Sequence, residues 1–218
     1  MAEVMCMLFV EPSSKRTIAF FDGQNLFYAA KKAFGYSWPN FDPLKLAEAV
    51  CCNQDWRLIE TRFYTGVPSP EDDASWSHFW MAKLANMGRS GIKTFSRQLK
   101  YRNQTISLSD GSKTAILVGN EKGIDVRLAL DVVSAIRKNI CDIALIFSQD
   151  QDLSEVAEEA REIARQQGRW FKMACAFPIS PTYNNRRGID KTDWVRFDRK
   201  VYDSCLDPRD YRPKDQKR

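Results

Sequence analysis

Four acids stand where a folded chain could gather them into one site. Asp22 closes the apolar run Thr17 to Phe21 (TIAFF) and is followed by Gly23. Asp150 and Asp152 follow a second run, Asp142 to Phe147 (DIALIF), in Ser148-Gln149-Asp150-Gln151-Asp152-Leu153. Asp125 comes after Lys122-Gly123-Ile124, at the start of a periodic segment. If the two runs are neighbouring strands, Asp22, Asp150 and Asp152 converge at one sheet edge. Two carboxylates about 4 Å apart repel by roughly 4 kcal/mol at an effective dielectric near 20. Protons or a cation must relieve that. Oxygen ligands alone select Mg²⁺ or Mn²⁺, which lowers the pKa of a bound water and stabilises the leaving oxygen of a phosphodiester. Each acid also has a plainer role open to it. Asp22-Gly23 is a turn signal, Asp152 with Glu155 matches a capping box, and Asp125 suits the positive end of its helix. Asp131 lies four residues after Arg127, as a helix ion pair would.

The elements that would position these acids alternate. Thr17–Phe21 reads as a buried strand and Asn25–Phe34 as a helix. Asp42-Pro43 offers an N-cap and a first-turn proline for a helix to about Cys51. Leu58–Tyr64 reads as a strand, Glu71–Met87 as a helix ended by Gly88, and Gly91–Phe95 as a strand. Arg97–Val118 alternates and has turn signals at Arg102-Asn103 and Asp110-Gly111, as hairpin material would. A helix over Ile124–Arg137, a strand over Asp142–Phe147, an amphipathic helix over Leu153–Gln166 and a strand over Trp170–Phe177 follow. From Pro178 the chain reads as irregular, with a polar tail from Pro208. The alternation predicts a mainly parallel α/β sheet covered on both faces, with ligands beyond the carboxyl ends of its strands.

Composition narrows the classes. The 218 residues are 44% hydrophobic, enough for a core and too much for global disorder. No apolar run approaches the roughly 20 residues of a membrane span, and Val4–Val10 reads as a strand or frayed terminus, not a signal peptide. The six cysteines include no C-x-x-C pair and His78 is the only histidine. A Cys/His zinc site and histidine-based nucleophilic catalysis are therefore poor fits. Free thiols imply a reduced, cytoplasmic protein. His78 reads as a packing residue, as do Trp76 and Trp80. The net charge is +5 and uneven: Lys83 to Lys113 holds seven basic residues and one acid, and Arg186 to Arg218 eleven basic and seven acidic. Two basic zones flanking an acidic one fit a polyanion held near carboxylates.

Several motifs then share one resemblance. FFDGQNL (Phe20–Leu26), EKGIDV (Glu121–Val126), ALD (Ala129–Asp131), FSQDQDL (Phe147–Leu153) and YNNRRGI (Tyr183–Ile189) resemble the NYN domain of the PIN-like nuclease superfamily, in its LabA-like branch. The usual third motif of that branch is S-G-D-x-D-F; here Gln149 replaces the Gly and Leu153 the Phe, with both acids kept. The resemblance spans about 16–206, leaving 1–15 as an N-terminal extension and 207–218 as a basic C-terminal tail. It implies a three-layer α/β/α sandwich with a mainly parallel sheet of about five strands, plus the β-hairpin insertion. It also implies a Mg²⁺- or Mn²⁺-dependent endoribonuclease using a metal-activated water. By this resemblance Asp22, Asp125 and Asp150 hold metal, with Asp152 a fourth ligand. Asn25 orients a water or phosphate, and Asp131 supports. Lys122, Arg97, Lys100, Tyr101 and Arg102, with Arg186 and Arg187, are expected to contact RNA, single-stranded or structured. A membrane is not expected, and a homodimer is left open. The alternatives are a non-catalytic RNA-binding regulator and a DNA nuclease using the same site.

Overall fold

The computed structural model describes residues 9–107, 113–120 and 122–213, and within 102–120 only the side chains of 105, 114 and 119. The strands are β1 (Arg16–Asp22), β2 (Arg57–Val67), β3 (Lys93–Gln98), β4 (Lys100–Ser107), β5 (Lys113–Asn120), β6 (Ile143–Phe147), β7 (Lys172–Pro178) and β8 (Asp193–Phe197). The helices are α1 (Gly23–Phe34), α2 (Pro43–Asn53), α3 (Ala74–Arg89), α4 (Ile124–Arg137), α5 (Ser154–Gln166) and α6 (Arg199–Ser204), with a 3₁₀ turn at Gln151–Leu153. Six strands form one parallel sheet in the order β3-β2-β1-β6-β7-β8.

The strands read as unbroken apolar runs because both sheet faces are covered. Ala19, Phe21, Phe63 and Phe147 point into a core closed by α1, α2, α3 and α6. Ile18, Phe20, Ala144 and Ile146 point the other way, under α4 and α5. The result is an α/β/α sandwich. The chain runs outward from β1 to β2 and β3, then returns to β6 on the other side of β1. The switch in direction lies between β1 and β6, where open sheets of this kind leave a ligand crevice. Phe21 and Phe147 stack there at 3.9 Å, one residue before each strand delivers its polar loop.

Three expectations change. The sheet has six strands, not about five, because β8 pairs with β7 in a stretch expected to be irregular. β8 is a five-residue edge strand, DWVRF, that buries only Val195 and Phe197, so its periodic signal is short. Arg102-Asn103 is not a turn. Both lie within β4, opposite Val118 and Leu117 of β5, in a separate antiparallel pair. The Asp110-Gly111 signal lies outside the described residues, as do Val4 to Leu8, Cys6 and Glu121. α3 runs through Gly88, and Gly91, at φ +83°, makes the turn instead.

Two side chains differ from their expected surroundings. His78 is exposed on α3, whereas Trp80 is buried and Trp76 packs at the core edge. Residues 207–212, expected as tail, lie on the domain. Asp207 N–H donates to Asn40 O at 2.8 Å, and the Arg212 guanidinium stacks 3.6 Å from the Trp38 ring centre.

Candidate metal centre

Asp22 is both the last residue of β1 and the N-cap of α1. Its Oδ1 accepts the Asn25 N–H at 3.0 Å. The turn is tight enough to require Gly23, since a Cβ there would sit 2.7 Å from the Phe63 ring and 2.9 Å from Tyr64 O. Asp150 follows β6 and caps the 3₁₀ turn, its Oδ1 accepting from Asp152 N–H at 3.1 Å. Ser148 joins the two acids. Its hydroxyl donates to Asp22 Oδ2 at 3.0 Å and accepts from Asp150 N–H at 3.1 Å.

Asp125 reaches the same place from the first turn of α4. Its N-cap is Gly123, in the left-handed region at φ +72°. The turn is held by Arg97, whose Nη1 donates to Lys122 O at 3.3 Å. The Phe95 ring contacts the guanidinium groups of both Arg97 and Arg127, 5.5 and 5.1 Å from its centre.

Asp22, Asp125 and Asp150 each offer an oxygen within 4.8 Å of the others. Bonds of about 2.0–2.6 Å to a hard cation would span that group with little movement. Asp22 is 3% exposed. Burial, opposed by Asn25 and Ser148 and reinforced by Asp125 and Asp150, pushes its carboxyl up to about 7. Burial, then Asp150 and Asp152, also raise the carboxyl of Asp125. The charges bearing on both groups are other acids, a set that a divalent cation would relieve. The donors are carboxylate oxygens, as Mg²⁺ or Mn²⁺ would require.

The other expected residues divide. Asp152 is exposed and stands outside the three-acid group, since the 3₁₀ turn moves it past the strand end. It does not form the expected cap on α5, whose N-cap residue is Leu153. Asn25 uses Oδ1 to accept Gln149 N–H at 2.9 Å, tying α1 to the Asp150 loop. Asp131 accepts from Arg127 Nε at 3.0 Å and Tyr64 OH at 2.9 Å, away from the cluster. Lys122, Arg97 and Lys100 are exposed, and Tyr101 is half-buried at the start of β4. The Arg102 side chain lies outside the described residues. Arg187 pairs with Asp190, and Arg186 borders an open groove with Arg196 at the ends of β7 and β8.

Sequence reasoning missed the role of Gln149, which stands where a glycine was expected. Its side chain accepts from Tyr183 OH at 3.1 Å and donates to Arg187 O at 2.8 Å. Gln151 donates to Gly188 O at 2.8 Å and accepts from Asp190 N–H at 3.2 Å. Two amides thus fasten the segment 183–190 beside the acids. The signal was the glutamine itself, a long amide in a position where the motif has no side chain.

No curated protein matches the chain. A solved structure of a protein of unknown function from Vibrio parahaemolyticus is similar at 17% identity, over 87% of this chain and 98% of the other, with a TM-score of 0.48. The family model of the NYN domain matches residues 16–166, from β1 through α5, which takes in all three clustered acids. By that match, the chain belongs to the NYN domain family, within the PIN-like superfamily.

Proposed function

We propose that this protein is a metal-dependent endoribonuclease, with motifs nearest the LabA-like branch. The observation that carries the reading is the meeting of Asp22, Asp125 and Asp150 within 4.8 Å, with Asp22 buried. NYN domains are typically nucleases, which supports the reaction class. Asp22, Asp125 and Asp150 would hold Mg²⁺ or Mn²⁺, one oxygen each. Such a cation, when bound, offsets phosphodiester charge and makes water a better nucleophile. Ser148 keeps Asp22 and Asp150 in fixed relative orientation, so the ligand set is organised before substrate arrives. Asp152, exposed and outside the three-acid group, would orient water or serve a second cation, a role supported by its charge acting on Asp125. Exposed Lys122, Arg97 and Lys100 on one side and Arg186 on the other would bind the phosphates of the RNA.

The test is cleavage of end-labelled single-stranded and hairpin RNAs, with matched DNAs, in Mn²⁺, Mg²⁺ or EDTA. Asp22→Asn and Asp150→Asn proteins run alongside. The expected result is metal-dependent RNA cutting that falls to background in both variants. Folded protein that binds RNA and never cuts it would move the assignment to a binding regulator. Preference for DNA would move it to a DNA nuclease.

A further inference from the structure

A groove of about 290 Å³ opens at the carboxyl end of β2, on the α3 side of the acids. Its walls are Phe27 and Tyr28 of α1, Trp76 of α3 and Tyr101 of β4, with Gln24 and Lys31 also lining it. We propose that this groove is a subsite for one unpaired nucleobase of the RNA strand, and that it selects which phosphodiester reaches the acids. The proposal rests on the ribonuclease reading above.

Four observations carry it. First, the aromatic side chains come from three separate elements and are not fully used in packing. Tyr28 is 52% exposed, with Phe27 at 5.3 Å its ring neighbour. Flat aromatic surfaces of this kind accept bases of any sequence by stacking. Second, the volume is at the small end for ligand pockets, which suits one ring system. Third, the groove carries one charge of each sign, Asp73 and Lys31. Asp73 Oδ1 caps α3 by accepting the Trp76 N–H at 2.9 Å, which leaves its second oxygen to accept from base N–H groups, while Lys31 could meet a neighbouring phosphate. Fourth, the groove adjoins the acids. Gln24 is two residues past Asp22. Gly66, another lining residue, is two residues past Tyr64, the partner of Asp22 in the sheet. By strand geometry, the Cα atoms of Gly66 and Asp22 are about 8 Å apart. A base seated there belongs to a nucleotide close to the bond being cut. Tyr101 brings the β4–β5 pair into the site, so the insertion forms one wall of the subsite.

The experiment is an abasic scan. A fluorescein-labelled single-stranded RNA, and copies each lacking one base, are titrated with the full chain in EDTA. Binding is read by anisotropy and by quenching of tryptophan emission. The same RNAs are then mapped for cut sites in Mn²⁺. One position is expected to matter: its loss weakens binding about ten-fold, and the cut falls at a fixed distance from it. Tyr28→Ala and Tyr101→Ala are expected to weaken the intact RNA by a similar factor. They should also erase the abasic effect, with circular dichroism and melting unchanged. A flat scan, or variants that bind like the native chain, overturns the subsite, as does absence of RNA binding. The two readings fail separately. Positional base dependence without cutting keeps the subsite and removes the nuclease, whereas Asp22-dependent cutting with a flat scan does the reverse.

Discussion

Asp22 bears the largest electrostatic burden of the site. An aspartate held up to about 7 by burial is protonated in the fold at pH values where the unfolded chain is ionised. The folded state therefore binds the extra proton between about pH 4 and 7. The stability this group contributes is present below about pH 4 and is lost as pH rises to about 7. The effect is on the order of 4 kcal/mol at most. In EDTA, the melting temperature of the native protein minus that of Asp22→Asn is expected to fall across that window, and Mn²⁺ should stabilise the native chain more at pH 8 than at pH 5. Equal pH profiles for the two proteins would count against the buried charge. The strand-end positions of Asp22 and Asp150 were legible because each acid follows an apolar run. Asp125 was visible as an acid opening a helix, but its metal role came only through the resemblance, and the Ser148 bridge was not legible. A contact across 126 residues leaves no local pattern.

Among the elements, the segment 183–190 was the least legible. It lies outside every strand, between β7 and β8, and its own chain has no period, so it read as a polar loop. What orders it is distant, in Gln149 and Gln151. Gln149→Gly restores the glycine of the resembled motif and should loosen the segment. Tyr183 OH and Arg187 O each lose a partner, at about 1–3 kcal/mol for a buried unpaired group. Hydrogen exchange at 183–188 is expected to speed up while β1 and β6 stay protected; unchanged exchange would show that backbone packing alone holds the segment. The parallel core strands, in contrast, were readable because both faces are buried and each strand is one apolar run.

At the scale of the whole molecule, Lys83 is the instructive case. Counted in sequence, it belongs to the basic stretch, yet it is 1% exposed. Its ammonium donates to Phe41 O at 2.8 Å and Asp207 at 3.3 Å, and lies over the Tyr211 ring. Burial lowers its pKa despite Asp207. The ammonium joins α3 to the loop before α2 and to the C-terminal segment, which Asp42 N–H also links by donating to Cys205 O at 2.8 Å. Lys83→Met should cost about 3–5 kcal/mol in denaturant unfolding, because the largely buried Asp207 loses its counter-charge and keeps only hydrogen bonds such as that from Arg209 N–H. Adding Asp207→Asn should recover part of it, and strict additivity of the two would argue that they do not interact. The net charge per segment was readable from composition. Which lysine turns inward was not, since that depends on an acid 124 residues away.

The strand order has a consequence in time. β1 sits between β2 and β6, so Thr17 is matched with Ile143. Asp22 leaves the ribosome long before Asp150, by roughly ten seconds at ordinary translation rates of ~5–20 residues per second. Until β6 docks, a nascent chain holds the first acid without its Ser148 bridge or its partner. On the ribonuclease reading, a nascent chain has no complete set of acids until most of its own message has been read.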